Sequence, residues 1–137
     1  MKTIHKSDYV YLMHAHEISK KSDMTSHHGC VIVDKKGNII SSGYNKFLFV
    51  PKDKINIFNK YNHVKISIHA EEVALKKADP KKLFGAKLYV VRSCLTDKNT
   101  QFMCSKPCNR CTSIIQTCMD KFGLKIAYYT DPDICFT

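Results

Sequence analysis

The chain has 137 residues, which is enough for one compact domain with a buried core, and we expect a single domain over residues 1–137. Hydrophobic residues make up 44% of the sequence and charged residues 25%, which excludes a disordered tail, and no stretch approaches the roughly 18 apolar residues of a membrane span. The formal net charge of +10 favours an anionic partner such as a nucleotide or a nucleic acid, although only two of the 22 cationic residues are Arg, which equally suits a solvated Lys-rich surface.

The cysteines and the first residues indicate a reducing compartment. Seven cysteines are an odd number, and residues 1–21 mix charged with apolar residues instead of forming the apolar stretch of a secretory signal. We therefore expect reduced thiols and a cytoplasmic protein, without a disulfide framework and without a membrane partner. Cys30, Cys118 and Cys135 are expected to be small buried residues.

The first third of the chain predicts a helix followed by a β-hairpin. Ser7 or Asp8 can cap the helix, and one helical face is formed by Tyr9, Leu12, Met13 and His16. Residues 30–33 and 39–44 are apolar stretches that flank a short polar turn containing Gly. This pattern is typical of two antiparallel strands joined by a tight connection.

The remaining elements alternate between helix and strand. A helix is predicted to begin near His69 and to stop at Pro80, and residues 87–92 form a strand buried on both faces. A third helix begins at Pro107 or Cys108 and ends at Gly123, and residues 124–129 form a last strand. This order predicts a largely parallel sheet between helices.

Two segments, residues 46–67 and 93–106, show no clear periodicity. Both are long for simple connections, so we expect each to be a lid over a site or an inserted segment.

Four reactive side chains are predicted at the starts of two helices. Cys108 and Cys111 are three residues apart, so they lie on one helical face and can bind the same ion, and the helix dipole is expected to favour their thiolates. With His69 they form a three-ligand zinc site whose fourth position is open to water, which is typical of catalytic zinc. Glu71 follows His69 by two residues and is placed to move protons for a hydrolytic deamination.

The His-Ala-Glu of residues 69–71 and the Pro-Cys-Asn-Arg-Cys of residues 107–111 match the H-x-E and P-C-x-x-C signature of zinc-dependent deaminases. The sequence thus resembles the cytidine and deoxycytidylate deaminase superfamily, which includes tRNA adenosine deaminases, over about residues 29–130. The resemblance implies a cytidine deaminase-like α/β fold: a three-layer α/β/α sandwich with a mixed central sheet of about four to five strands.

The resemblance also implies roles for individual residues. It implies one Zn2+ per chain, bound by His69, Cys108 and Cys111, and Glu71 as the proton shuttle. It implies substrate contacts by Asn45, Ala70, His28 and Tyr44, of which the last two would flank the base. It implies a homo-oligomer, a dimer or larger, and a cytosine-containing nucleotide or nucleoside such as dCMP as substrate. Lys106 departs from the pattern, since many relatives carry Glu at that position.

Several alternatives stay open at this point. Cys108 and Cys111 can be a redox pair, or Cys94 or Cys104 can complete a closed structural metal site. The enzyme can instead deaminate adenosine in tRNA, because aromatic residues interleave with lysines at Phe47, Phe49, Phe58 and Tyr61. A zinc-stabilised scaffold without turnover is a further alternative.

Overall fold

The computed structural model describes residues 2–3, 8–51, 63–95 and 100–131, which contain three α-helices: α1 (Tyr9–Ser19), α2 (Ala70–Lys77) and α3 (Asn109–Phe122). A 3-10 turn, Pro80–Lys82, follows α2. His69 directly precedes α2 and Cys108 directly precedes α3, as predicted. Gly123 ends α3 with φ 76°, a left-handed conformation that a side chain disfavours, so the predicted stop is confirmed.

Helix α1 follows Asp8 as predicted, but not through a side-chain cap. The Asp8 carboxylate accepts a hydrogen bond from the hydroxyl of Tyr89 at 2.8 Å instead. Ser7, the other predicted cap, lies outside the described residues. Leu12 and His16 are buried on the predicted face, whereas Tyr9 is 49% exposed, so the buried stripe begins one turn later than the sequence indicated.

The described residues form eight strands, of which four were not predicted and two run beyond their predicted bounds. Their bounds are β1 (Lys2–Thr3), β2 (His27–Val33), β3 (Ile39–Tyr44), β4 (Lys46–Pro51), β5 (His63–Ile68), β6 (Lys87–Leu95), β7 (Thr100–Met103) and β8 (Ile126–Tyr129). The predicted hairpin is confirmed as β2 and β3, joined by a turn in which the Asp34 N–H donates to the Asn38 carbonyl at 2.8 Å.

The main sheet is mixed, with strand order β1-β8-β6-β2-β3 and with β7 pairing on the end of β6. Strand β8 is parallel to both β1 and β6, whereas β2 is antiparallel to β3 and β6, and β7 is antiparallel to β6. The mixed sheet is confirmed, but the prediction of a largely parallel sheet is wrong. It fails because the hairpin strand β2 pairs directly with β6 at the centre of the sheet.

Helices cover both faces of this sheet, which confirms the three-layer α/β/α sandwich. Alternate residues of the central strands point to opposite faces. Val31, Tyr89 and Val91 pack with Leu12 and Ala15 of α1 on one face. The other face packs against α2 and α3 through a larger cluster, with members that include Cys30, Ile32, Ala74, Leu88, Val90, Ile115 and Cys118. Cys30 and Cys118 are therefore buried as predicted, and Cys135 lies outside the described residues.

Both segments without clear periodicity, residues 46–67 and 93–106, contain strands in their described parts. Strands β4 and β5 pair antiparallel in a separate two-stranded sheet, with a register from Lys46 opposite Ile68 to Pro51 opposite His63. The second segment begins as the continuation of β6 and returns as β7, with Ser93 opposite Phe102. These strands depend on pairing with distant residues, which short-range periodicity does not reveal.

None of the helices in the described ranges has the length and apolar character required to cross a membrane.

Candidate metal centre and active site

The N-terminal ends of α2 and α3 meet and bring three metal-binding side chains together. The ligand atoms of His69, Cys108 and Cys111 all lie within 4.8 Å of one another. His69 Nδ1 lies 3.2 Å from Cys111 Sγ and 3.6 Å from Cys108 Sγ. Within the described ranges, no fourth His, Cys, Asp or Glu joins this group. Cys104 is exposed outside it, so the alternative of a structural site closed by Cys104 has no support here.

Local backbone structure fixes the orientation of both helix starts. His69 has extended backbone angles, φ −85° and ψ 155°, and its carbonyl accepts the first α2 hydrogen bond from the N–H of Val73. Cys108 is equally extended, and its carbonyl accepts from the N–H of Thr112 at 2.8 Å. Pro107 just before it carries no N–H that would need a partner. The two ligand segments are thus ordinary helix starts directed at a common point.

Strand β3 fixes the position of α2 through a close backbone approach at Gly43. A Cβ built there would lie 2.7 Å from the carbonyl oxygen of Ala70 and 2.7 Å from the N of Ala74. Only Gly allows helix and strand to approach so closely. Nearby, the Ser41 hydroxyl donates to the carbonyl of Ala74 at 2.6 Å. The end of α2 that carries the site is therefore packed directly against the sheet.

The donor set fits a zinc ion. Two sulfur atoms and one imidazole nitrogen are preferred zinc ligands, and three protein donors leave one position open in a tetrahedral site. Cys111 is fully buried, and burial, followed by the charge of Glu71, raises the pKa of its thiol. This opposes the lowering that the helix dipole was expected to give. A bound cation would stabilise the thiolate of Cys111 in spite of its burial, since coordination to a metal deprotonates a thiol.

Glu71 is the acidic residue nearest to this cluster. Its side chain is buried, and burial raises the pKa of its carboxyl group, although the hydrogen bond from its own backbone N–H and the neighbouring Cys111 act in the opposite direction. A carboxyl group with a raised pKa keeps its proton at a higher pH than a solvated carboxyl group does. Glu71 therefore has the environment of an acid–base residue rather than that of a solvated surface acid.

A cavity of about 250 Å3 opens beside the cluster, close to the lower end of the size range of small-molecule sites. It is lined by Met24, Ser26, His28, Asn45, His69, Ala70, Glu71, Ser105, Lys106, Pro107 and Cys108. Of the eight site residues named from the sequence, six line it. Cys111 lies behind it in the buried cluster. Tyr44, although within the described part of the chain, is not among the lining residues; its ring faces the Lys46 ammonium group at 5.8 Å.

Asn45 lines the cavity with an amide group whose orientation is fixed. Its Oδ1 accepts from the backbone N–H of His28 at 2.9 Å, and its Nδ2 donates to the carbonyl of Ser26 at 2.6 Å. One amide hydrogen and one oxygen lone pair remain for a ligand. Asn45 therefore joins the end of β3 to the start of β2, a structural task that the sequence did not indicate. Its contact with a substrate stays a prediction, as does that of Tyr44.

One Lys and one Glu line the cavity, and a further cation, Arg92, contacts the lining residue Ser26. Lys106 is exposed at the wall, and Arg92 lies beside it on the sheet, donating to the Ser26 hydroxyl at 3.2 Å. Burial, together with the nearby charges of Arg92 and His69, lowers the pKa of His28 to about 4, so His28 is neutral at pH 7. Glu71 is the one acidic residue among those that line the described cavity. This environment suits an anionic ligand.

Ser105 was missed by sequence reasoning and anchors the loop before Cys108. Its hydroxyl donates to the carbonyl of Val90 at 2.8 Å and accepts from the N–H of Thr130 at 2.6 Å. Ser105 and Thr130 are both buried. A lone Ser in a loop carries no sequence signal for such a role, because both partners are distant in the chain.

Comparison with known proteins agrees with this site. The family described as "Cytidine and deoxycytidylate deaminase zinc-binding region" matches residues 5–122. No curated protein shows significant similarity. Among solved structures, the dCMP deaminase from the cyanophage S-TIM5 in complex with dCMP and dUMP is 20% identical with a TM-score of 0.58, covering 93% of this chain and 82% of that chain. Its apo form is also 20% identical, with a TM-score of 0.57 and coverage of 96% and 88%. At this identity the likeness concerns the fold.

Proposed function

Because the chain belongs to the cytidine and deoxycytidylate deaminase zinc-binding family, we propose that it is a zinc-dependent hydrolytic deaminase of a cytosine-containing nucleotide such as dCMP. The products would be ammonia and the corresponding uracil nucleotide. One observation carries the proposal: the buried carboxyl group of Glu71 lines the same cavity as two members of a three-donor metal cluster. A closed structural site or a scaffold has no use for such a carboxyl group.

His69, Cys108 and Cys111 would hold one zinc ion per chain, and His69 and Cys108 line the cavity. When bound, zinc supplies a water molecule whose pKa is lowered to about 7, so that the nucleophile is available at neutral pH. The redox alternative for Cys108 and Cys111 does not explain why His69 Nδ1 lies within 3.6 Å of both sulfur atoms.

The protein's own groups would move the protons and hold the base. Glu71 would take a proton from the attacking water and pass it to the ring nitrogen next to C4. It would then take the second proton from the hydroxyl group added at C4 and give it to the amino group, which leaves as ammonia while the C4 carbonyl forms. The N–H of Ala70, in the first turn of α2, lacks an intrahelical acceptor and can contact the base beside that carbon. Asn45 and His28 would bind the remaining polar edges, and the neutral state of His28 suits an uncharged base.

A nucleotide is favoured over a nucleoside by the charge of the cavity wall. Lys106 lines the cavity and Arg92 contacts the lining residue Ser26, and these cations would bind a phosphate group that a nucleoside lacks. The cyanophage dCMP deaminase, which shares this fold, was crystallised with dCMP and dUMP. Both observations support a nucleoside monophosphate as substrate.

Ammonia release from a panel of dCMP, CMP, deoxycytidine and cytidine tests the proposal directly. We expect turnover of at least one member by protein that contains one zinc per chain, with monophosphates preferred. Metal analysis of the same sample is the control, because an inactive sample without zinc would carry no weight. Protein that binds zinc stoichiometrically and releases ammonia from none of the four would refute the small-substrate proposal.

Adenosine in tRNA is the second candidate substrate. Phe47 and Leu48 of β4 come two and three residues after Asn45, and their side chains are 40% and 39% exposed, so this strand offers apolar surface on which bases can stack. Phe58 and Tyr61 of the same pattern lie outside the described residues. Inosine formation in tRNA, with binding that weakens steeply as salt rises, would favour this candidate. Activity on free dCMP without tRNA binding would exclude it.

Three further expectations remain proposals. They are a single domain over residues 1–137, a cytoplasmic location, and a homo-oligomer of two or more chains. Exposed apolar side chains on the described surface support the oligomer, notably Val10 at 67% and Phe84 at 68% exposure. Light scattering on the purified protein would measure the number of chains, and a monomer at micromolar concentration would contradict the last expectation.

A further inference from the structure

Glu72, the residue after Glu71, forms an ion pair that joins the first turns of α2 and α3. Its side chain is 2% exposed, and its Oε2 accepts a hydrogen bond from Arg110 Nη2 at 2.9 Å. Arg110 lies between the two cysteine ligands in sequence, and its own side chain is 59% exposed. The pair therefore links the same two chain segments that the metal cluster links.

Fold stability is a poor explanation for this pair. Glu72 Oε1 is buried and has no hydrogen-bond partner among the described residues, so the carboxylate has left water for a single bond to Arg110. Burying a charge is costly, and replacing a buried ion pair by apolar residues of similar volume often leaves a fold equally or more stable. Arg110 also lies in the first turn of α3, where a cation opposes the helix dipole. Burial therefore disfavours the charge of Glu72, although the dipole of α2 favours an acid in its first turn, and the dipole of α3 disfavours the charge of Arg110.

Burial holds the start of α3 less than that of α2, although Cys111 is buried and Ser105 anchors the preceding loop. Cys108, Asn109 and Arg110 are all exposed, in contrast to the buried first turn of α2. Glu72 lies three residues after His69, and Arg110 directly precedes Cys111, so a shift of one partner moves a ligand with it. The ion pair is thus a direct connection from the exposed helix start to the buried one.

We propose that the Glu72–Arg110 ion pair is a positioning device that holds the first turn of α3 against α2. It keeps the imidazole of His69 and the two thiolates at metal-binding separation before an ion arrives, and so sets metal affinity and coordination geometry. The inference rests on the proposed function, because it treats the cluster as the metal site of the deaminase. Neither Glu72 nor Arg110 is a catalytic residue, since neither is among the residues that line the described cavity.

Three variants test this role: Arg110→Met, Arg110→Lys, and the double variant Glu72→Met/Arg110→Met. Glu17→Gln, which breaks the exposed Lys20–Glu17 pair, is the matched control. Zinc affinity is measured by competition with a chelator, and ligand geometry by the absorption spectrum of the Co2+ form. Thermal unfolding of metal-free protein is measured in parallel, so that loss of folding is separated from loss of positioning.

Arg110→Met is expected to weaken zinc binding about 10- to 100-fold, the usual cost of losing an outer partner of metal ligands. Arg110→Lys keeps the charge without the planar fork and should restore part of that affinity. The double variant should recover the parental melting temperature, because no unpaired carboxylate remains, yet keep the weakened zinc binding and an altered Co2+ spectrum. The Glu17→Gln control should match the parent in all three measurements.

A double variant with parental zinc affinity and a parental Co2+ spectrum would overturn the proposal, and so would an Arg110→Lys variant no better than Arg110→Met. If Arg110→Met fails to fold, the double variant and Arg110→Lys still show whether the ion pair positions the metal ligands. These measurements do not depend on turnover. A parent protein that binds zinc and leaves every cytosine substrate unchanged would refute the proposed deaminase activity. The zinc affinities of the variants would still test the positioning role of the ion pair.

Discussion

The two helix starts that form the site are built in opposite ways. The first turn of α2 is part of the core, with Ala70 fully buried and Glu71 5% exposed. The first turn of α3 is at the surface, and it is tied down by a few polar bonds, such as those of Ser105 and Arg110. The carboxyl group of Glu71 therefore lies on the buried side, whereas the exposed side, where Cys108 is exposed and Cys111 is buried, depends on these polar bonds for its position.

The largest expected effect is chemical and lies on the buried side. Replacing Glu71 by Gln keeps the size of the side chain but removes the group that accepts a proton. We expect deaminase activity to fall about 100- to 10,000-fold, the usual contribution of a proton-transfer residue. Zinc content and melting temperature should stay close to the parental values.

Glu17→Gln, at an exposed position of α1, is the control for this substitution. Ammonia release is the measurement for both variants. Parental activity in Glu71→Gln would show that the buried carboxyl group is not the proton shuttle, and that the buried helix start serves packing alone.

Gly43→Ala tests the packing of the buried side. The new Cβ would meet backbone atoms of Ala70 and Ala74 at 2.7 Å, and backbone cannot yield as a flexible side chain can. We expect a loss of about 3 kcal/mol in the free energy of unfolding, at the upper end for an overpacked core. Urea denaturation measures it, with Ser42→Ala on the same strand as the control. A loss as small as that of the control would mean that α2 can move away from β3 without cost.

The helix boundaries around the site were more predictable than the contacts between its two sides. His69, Asp79-Pro80 and Gly123 are local signals, and each marks a helix boundary within a few residues of the observed one. The pairing of Cys108 with Cys111 follows from helical spacing alone. Local chemistry of this kind is readable because the residues that decide it are neighbours in sequence.

The hydrogen bonds and the ion pair that complete the site were not predictable, because the residues they join are far apart in sequence. Glu72 and Arg110 are 38 residues apart, and Ser105 and Thr130 are 25 apart. Strand β5 did carry a signal, the alternation of apolar and polar residues from Val64 to Ile68, and it was overlooked within a longer segment. The antiparallel pairing of β2 with β6 depends on sheet order, which no local pattern specifies.

Ser105→Ala tests the hydrogen bonds that anchor the loop before Cys108, on the exposed side of the site. It removes the acceptor of the buried Thr130 N–H and the donor to the Val90 carbonyl. Leaving a buried polar group without its partner should lower the free energy of unfolding by about 2 kcal/mol. Ser113→Ala, exposed on α3, is the control, and urea denaturation measures both variants. Equal stability of the two would show that the loop before Cys108 needs no anchor.

Lys106→Met tests whether the exposed side also selects the substrate. Its ammonium group would bind a phosphate, so KM for dCMP should rise about fivefold, as for an exposed ion pair worth up to about 1 kcal/mol. The KM for deoxycytidine should not change, which makes the nucleoside the internal control. An equal change for both substrates would indicate that Lys106 affects the shape of the cavity and not recognition of the phosphate.

The smallest expected effect concerns a buried histidine away from the site. His16 is 2% exposed, its Nδ1 lies 2.7 Å from the Ser93 hydroxyl, and burial, followed by the charge of Lys20, lowers its pKa in the folded protein. The unfolded chain therefore binds a proton near pH 6.5 that the folded protein does not bind until lower pH. The contribution of neutral His16 to the free energy of unfolding is fully present above pH 6.5 and declines as pH falls toward the folded pKa. Between pH 7.5 and 6.0 this contribution changes by at most about 0.8 kcal/mol.

His16→Gln should remove that part of the pH dependence of the unfolding free energy. His14→Gln is the matched control, because His14 is exposed on the same helix. Urea denaturation at pH 7.5 and 6.0 measures all three proteins. If the free energy of unfolding falls between the two pH values by the same amount in His16→Gln as in the parent, the titrating group lies elsewhere. If this difference disappears in His16→Gln, the acid sensitivity of the fold arises in the core beneath α1. The two helix starts of the site are then not its cause, and the pH dependence of stability is separate from that of the reaction.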